Sequence, residues 1–270
     1  MIVVKAGGRA LMQNRDRILD SIALRAKMGI IFVHGGGDIV SEYSKRMGIE
    51  PKFVMSPQGI RSRYTDENEM DVYNMVMSGK LNKEIVSYLE KRGVRTVGIS
   101  GVDAGVLRAE RKKKIVVVDE RGRKRVIDGG YTGTIISVNA ELPRTLVEQG
   151  YVVVISPVAL GTEGELLNVD GDQAAAAIAR ALRAEALVIL TDVEGLILDG
   201  QLIREITPRE ARELLPKIGA GMNRKVMLAA EAVEAGVERC IICSGLVEEP
   251  LSVLEHEHGT VVSMRNFQQL

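Results

Sequence analysis

Four short clusters in this chain combine glycines with charged or amide side chains at the ends of strands or the starts of helices. Lys5-Ala6-Gly7-Gly8 follows the first apolar run. Glycines let a backbone approach an anion closely, successive N–H groups form a concave anion nest, and a lysine at a strand end adds a point charge. The same residues also suit a tight turn with an exposed lysine. His34-Gly35-Gly36-Gly37-Asp38 leads from a strand to a helix N-terminus, which favours phosphate or carboxylate. A plain turn there needs only one glycine. Asn168-Val169-Asp170-Gly171-Asp172 offers an amide donor and two carboxylates able to hold a lysine or Mg²⁺; either aspartate also suits a helix N-cap. Gly219-Ala220-Gly221-Met222-Asn223-Arg224-Lys225 sets a glycine loop before a helix. A lysine there opposes the helix dipole, which favours a functional reason over a merely solvated basic turn.

Two lysines from opposite halves, glycine loops and an Asn/Asp pair suit transfer of a γ-phosphoryl group to a carboxylate. A carboxylate is already nucleophilic at neutral pH, so no general base is needed. The barrier is largely anion meeting anion, and cations and N–H donors around the transferring group are the tools that lower it. Other chemistries lack their parts. No Gly-Lys-Ser/Thr follows the glycine loops, and the GxGxxG, GxSxG, HExxH and HRD patterns are absent. His34, His256 and His258 are too few and too scattered for a metal cage. Cys240 and Cys243 form a CxxC, but residues three apart on a strand point to opposite faces, which makes them buried structural thiols.

The elements that must position these clusters alternate. Strands are expected at Ile2–Lys5, Ile30–Val33, Val94–Ile99, Tyr151–Ser156, Leu166–Val169, Ala186–Leu190, Glu238–Cys243 and Thr260–Ser263. Helices are expected at Arg15–Lys27, from Asp38 to Met47, within Asp66–Arg92, and at Asn139–Gln149, Ala174–Leu182, Pro208–Leu215 and Met222–Ala235. Gly48–Tyr64, with Pro51, Pro57 and Gly59, reads as loop. Lys114–Asp119 and Lys124–Asp128, joined by Glu120-Arg121-Gly122-Arg123, read as a hairpin. Strands alternating with helices give an α/β fold with a mostly parallel sheet covered on both faces, and ligands in such folds sit beyond the strands' carboxyl ends.

The chain's 270 residues make one large domain or two small ones. No apolar run approaches the ~20 residues of a membrane span. The first apolar stretch is too short for a signal-peptide core. With two cysteines, the expected setting is soluble, reducing and cytoplasmic, with no membrane partner. Aromatics are 3% and Trp is absent, which disfavours a stacking platform for single-stranded nucleic acid. Net charge is zero, from 36 basic and 36 acidic residues. It is unevenly spread: Arg108 to Arg125 holds nine basic and three acidic residues, +6 against −6 elsewhere. Arg111, Lys112, Lys113, Lys114, Arg123, Lys124 and Arg125 are thus candidates for docking an acidic partner. A solvated hairpin is the alternative, and a nucleic-acid role lacks aromatic interleaving.

In these motifs and their order the sequence resembles the amino-acid kinase family, and within it the N-acetylglutamate kinase branch, over nearly the whole chain. The resemblance implies a single domain, residues 1–270, built as a three-layer α/β/α sandwich around a mainly parallel sheet of about eight strands. Residues 1–160 would form an acidic-substrate lobe and 161–270 a lobe for ATP with Mg²⁺. By position, Lys5 and Lys225 look like the transition-state lysines and Asp172 like the carboxylate that orients them. Gly7 and Gly8 resemble the phosphate loop, and Thr191 and Asp192 the loop beside the nucleotide. Gly36 and Gly37 look like donors to the substrate, with Arg63 and Asn168 holding its α-carboxylate end. The branch's Gly-x-Arg-Val-Thr-Asp is replaced by Gly59-Ile60-Arg61-Ser62-Arg63-Tyr64-Thr65-Asp66. Arg61 therefore competes with Arg63, which is preferred because it precedes x-Thr-Asp. The longer motif is similar to the subgroup acting on α-aminoadipate or glutamate attached to a small acidic amino-group carrier protein (the LysW type), on the lysine and arginine biosynthetic routes. That likeness implies an acyl-phosphate product, and the family a homodimer. A kinase of free N-acetylglutamate, and a catalytically silent nucleotide or amino-acid sensor, are the alternatives.

Overall fold

Apolar, β-branched runs form β1 (Ile2–Ala6) and β2 (Ile30–His34), separated by helix α1 (Gly8–Leu24). The computed structural model describes residues 1–255 and 258–264, so His256 lies outside the described residues. Helix α2 (Gly37–Arg46) leads to a hairpin of β3 (Lys52–Met55) and β4 (Arg61–Tyr64). Helix α3 (Glu67–Asn74) continues through a π-helical segment, Met75–Leu81, into α4 (Asn82–Glu90), and β5 (Thr96–Ser100) follows. Then come β6 (Leu107–Arg111), β7 (Lys114–Val118), β8 (Lys124–Asp128), β9 (Gly133–Val138) and α5 (Glu141–Glu148). β10 (Val152–Ser156), β11 (Val158–Gly161) and β12 (Leu166–Asn168) precede α6 (Gly171–Leu182) and β13 (Ala186–Thr191). The chain closes with β14 (Ile197–Leu198), β15 (Gln201–Leu202), β16 (Glu205–Ile206), α7 (Pro208–Leu214), α8 (Met222–Glu234), β17 (Arg239–Ser244) and β18 (Thr260–Ser263).

The main sheet has eight strands in the order β16-β18-β17-β13-β1-β2-β10-β5. Every pairing in it is parallel except β17 with β18. Its central strands are buried on both faces, and the period of two sorts them between two cores. Ile2, Val4, Ile30, Phe32, Val152 and Val154 pack with Ile18, Leu19 and Ile22 of α1 and Ile85 and Leu89 of α4. Val3, Ile31, Val33, Val153 and Ile155 pack on the other side with the alanine-rich face of α6, with Val147 of α5, and with Val226 and Ala229 of α8. This is the three-layer α/β/α sandwich around a mainly parallel sheet. Cys240 and Cys243 fall in opposite cores, and burial pushes both thiols' pKa up. Among the described residues, no helix is long and apolar enough to cross a membrane.

Three departures from the sequence expectations have physical causes. Gly48–Tyr64 is not all loop: β3 and β4 pair antiparallel, and Pro57 and Gly59 mark only their turn. This hairpin stands off the main sheet with mostly exposed residues, so it carries no apolar alternation. Helix α1 begins at Gly8 rather than Arg15, because the glycine cluster is itself its N-terminus; its one non-helical residue is Asn14, whose amide donates to Gly245 O and Val247 O. A second sheet, β12-β11-β6-β9, includes strands at Leu107–Arg111, Gly133–Val138 and Val158–Gly161 that the pattern did not reveal.

Candidate active site

Lys5 shares a sheet face with Val3, because alternate residues of β1 point the same way. That is the face on which α6 packs. Asp172 lies in the first turn of α6, and its Oδ1 is 2.7 Å from the Lys5 ammonium. Helix α8 packs beside α6, and Lys225 in its first turn donates to Asp172 Oδ2. One buried carboxylate thus holds two lysines from opposite ends of the chain. Burial opposes its charge, but the two ammonium groups outweigh that effect and hold its carboxyl below the usual carboxylate range. Asp170, in contrast, is the N-cap of α6, accepting from Gln173 N at 2.9 Å, and it pairs with Arg224 at 3.6 Å.

The glycine clusters after β1 and β2 abut. A Cβ on Gly35 would stand 2.8 Å from Gly8 N, and one on Gly8 would stand 3.4 Å from both Gly36 N and Gly37 N. Gly7 and Gly36 are the N-cap residues of α1 and α2, so two helix N-termini wall one region. Two cavities meet there. One, of about 300 Å³, is bordered by Gly7, Gly8, Arg9, Thr191, Asp192 and Lys225. The other, of about 530 Å³, is bordered by Gly36, Arg61, Arg63, Lys112, Asn168 and Arg224. Lys5, Gly8 and Gly37 border both. Asp192 pairs with Arg9 at 2.7 Å and accepts from the Thr191 hydroxyl. Asn168 Nδ2 donates to the buried Thr65 hydroxyl at 3.0 Å.

All the catalytic, substrate and nucleotide candidates from the sequence therefore border these two cavities or pair directly across them. The docking candidates divide. Arg123 and Arg125 pair with Asp119, and Arg111 donates to Gly130 O while lying over the Tyr131 ring. Lys113, Lys114 and Lys124 are exposed. Lys112 is exposed as well but also borders the larger cavity, and partial burial, with the charge of Arg224, lowers its pKa. Glu69 was missed. Its carboxylate is buried and takes Arg63, whose other terminal nitrogen donates to Gly37 O at 2.6 Å. Asp66 caps α3 by accepting from Glu69 N, so a sequence reading gives Glu69 to the helix start and not to Arg63.

The model of the amino acid kinase family matches residues 1–244. The chain belongs to the amino acid kinase family. It is 53% identical over 264 residues to the LysW-aminoadipate/LysW-glutamate kinase of Metallosphaera sedula, covering 97% of this chain and 100% of that one. The protein of the same name from Saccharolobus solfataricus is 53% identical over 265 residues, covering 97% and 99%. Among solved structures, N-acetylglutamate synthase from Neisseria gonorrhoeae matches with TM-score 0.76 at 23% identity, covering 98% of this chain and 62% of the synthase chain. This chain thus spans about three fifths of that protein. Carbamate kinase from Giardia lamblia bound to AMP-PNP matches with TM-score 0.71 at 17% identity, covering 97% and 98%. Both structures share the fold of this amino acid kinase. Membership in the kinase family gives ATP as a substrate.

Proposed function

We propose that this chain transfers the γ-phosphoryl group of ATP to the side-chain carboxylate of α-aminoadipate or glutamate linked to a small acidic carrier protein, in lysine and arginine biosynthesis. The bond between the γ-phosphorus and ADP breaks, a bond to the carboxylate oxygen forms, and the product is an acyl phosphate. The observation that carries this reading is the meeting of Lys5 and Lys225 on Asp172 where the two cavities join. Relatives named for this activity match nearly the whole chain, which supports the carrier-linked substrate over free N-acetylglutamate.

The roles follow from charge. Lys5 and Lys225 stabilise the negative charge on the transferring group, and Asp172 fixes both ammonium groups before ATP arrives. The N–H groups of Gly7 and Gly8 receive phosphate oxygens, and those of Gly36 and Gly37 the acceptor carboxylate. Asn168 holds the acceptor's far end, with Thr65 fixing its amide. Thr191 and Asp192 border the nucleotide. Among the described residues, no group of three or more His, Cys, Asp or Glu forms a metal cluster. With Mg²⁺ carried mainly by phosphate oxygens, Asp192 is the carboxylate on the nucleotide side that would hold it. Mg²⁺ held there would neutralise phosphate charge. Residues 1–160 supply most of the acceptor side, while the nucleotide side is shared, with Lys5, Gly7, Gly8 and Arg9 from 1–160 and Thr191, Asp192 and Lys225 from 161–270. The family resemblance adds a homodimer, which light scattering tests.

The test is trapping with hydroxylamine. Incubated with ATP and carrier-linked glutamate or aminoadipate, the protein is expected to yield a hydroxamate. Release of ADP without hydroxamate contradicts a carboxylate acceptor.

A further inference from the structure

The smaller cavity has two walls from distant parts of the chain. Gly7, Gly8 and Arg9 stand at the start of α1, and Thr191 and Asp192 at the end of β13. Arg9 reaches across to Asp192, but the Arg9 side chain is 71% exposed, and ion pairs so open to water contribute little. The spacing of the walls is set behind them.

Helix α1 is not one rod. Asn14, at φ −143° and ψ 33°, separates residues 8–13 from residues 15–24. The second part is anchored. Ile18, Leu19 and Ile22 sit in the core. Ser21 Oγ accepts from Leu251 N at 2.9 Å, and Arg25, just past the helix, pairs with Glu249 at 2.8 Å and Glu255 at 2.7 Å. The first part carries Gly8 and Arg9 to the cavity. At the break, the Asn14 amide donates to Gly245 O and Val247 O, both at 2.8 Å, in the segment after β17. Asparagine side chains compete with helical backbone bonding, and this one supplies two bonds to a distant loop in its place.

Gly245 is held from the other wall as well. Its N–H donates to Thr191 O at 2.7 Å. One residue therefore joins α1, through Asn14, to the end of β13, through Thr191. There is no spare room around it. A Cβ on Gly245 would stand 3.1 Å from Ala10 Cβ in the first part of α1, 3.3 Å from Leu190 Cβ on β13 and 3.5 Å from Ile18 Cδ1 in the second part of α1.

We infer that Asn14 and Gly245 are positioning residues that set the spacing between the two walls of the phosphate-side cavity. They hold the Gly7-Gly8 loop at a fixed distance from Thr191 and Asp192. This rests on the proposed role of Gly7 and Gly8 as receivers of phosphate oxygens. Neither Asn14 nor Gly245 borders either cavity, so each acts through the helix and strand it joins.

The test measures ADP affinity by calorimetry, together with steady-state kinetics, in wild type, Asn14→Ala, Asn14→Gln and Gly245→Ala. Asn14→Ala removes two hydrogen bonds and favours an unbroken helix, so the ADP Kd and the ATP KM are each expected to rise about tenfold or more. The acceptor KM is expected to stay within about threefold, a split that a general loss of stability does not produce. Asn14→Gln keeps an amide donor and is expected to recover part of the loss. Gly245→Ala presses a methyl on Ala10 and is expected to give the same split by a different route. Where Asn14→Ala does not fold, Gly245→Ala decides by the same criterion. An ADP Kd within about twofold of wild type in the folded Ala variants overturns the inference, and so does an equal rise in both KM values. No ADP binding by wild type overturns the phosphate-loop reading and the inference with it. Weakened ADP binding in the variants of a protein that forms no hydroxamate supports the inference and counts against the carboxylate acceptor alone.

Discussion

Asp172 stands 2.7 Å from Lys5, although one side chain opens a helix in the second half of the chain and the other ends its first strand. Lys225 reaches the same carboxylate from a third element. The contact is buried, so its charges interact with little screening.

Replacing Lys225 with Ala is expected to cut turnover by ~10²–10³, the scale of losing one group that stabilises developing charge. Nucleotide affinity is expected to fall much less. Steady-state kinetics with ADP-binding titrations separates the two, and unchanged turnover rejects the role.

Asp172→Asn is expected to remove activity and also to destabilise the fold. It leaves two lysines facing each other in a buried site, and breaking a buried pair costs about 3–5 kcal/mol. The denaturant midpoint reads the stability loss. A midpoint equal to wild type shows that Asp172 does not hold the lysines together.

His34 gives a pH signature. Burial, partly offset by its contact to Gly35 O and reinforced by Lys83, lowers its pKa from 6.5 to about 4. The unfolded chain therefore takes up the proton first as pH falls. The stability that His34 contributes is full above about 6.5 and is lost progressively toward about 4, by a few kcal/mol at most. Thermal unfolding at pH 7, 6, 5 and 4 should show a slope that His34→Asn reduces; the same slope in both proteins removes His34 from the explanation. Asp172 titrates on the other side of this window. Its carboxyl is depressed, so its contribution persists above the ordinary carboxylate range and is lost only as pH falls through its own lower value.

Much of this was legible in the sequence, for physical reasons that differ by region. Doubly buried strands such as Ile30–His34 announce themselves as apolar β-branched runs. Lys5, Asp172 and Lys225 were marked by glycines that a plain turn does not need. The β3–β4 hairpin was hidden because exposed strands carry no alternation, and Pro57 and Gly59 made the whole stretch look like loop. Lys112 sat inside a run of like charges, where nothing in the sequence shows that this exposed residue also borders the cavity. Arg61 and Arg63 are two residues apart on one strand and both lie over Phe53, and only the bonds of Arg63 to Glu69, Gly37 and Ser41 tell them apart.

Two glycine substitutions separate loop packing from occupancy. A Gly35→Ala methyl meets the backbone at Gly8 N and Ala6 O, which cannot swing aside. It is expected to cost about 1–3 kcal/mol and to displace both anion loops. A Gly37→Ala methyl meets nothing within 4 Å, so the fold should tolerate it. A Gly35→Ala protein as stable as Gly37→Ala contradicts the close loop contact.

The exposed lysines of the basic hairpin have a separable role. Reversing Lys113, Lys114 and Lys124 to Glu is expected to raise the KM for the carrier-linked substrate and to weaken its salt dependence, leaving the KM for ATP in place. Kinetics at two ionic strengths reads both, and an unmoved KM takes the outer hairpin out of docking.

The most direct measurement is the ratio of kcat/KM for carrier-linked glutamate or aminoadipate to that for free N-acetylglutamate, read as ADP release under one set of conditions. The expected ratio is far above one, by about a hundredfold or more, the scale of two lost charged contacts. A ratio at or below one contradicts the carrier-linked reaction and makes this a kinase of the free acylated amino acid.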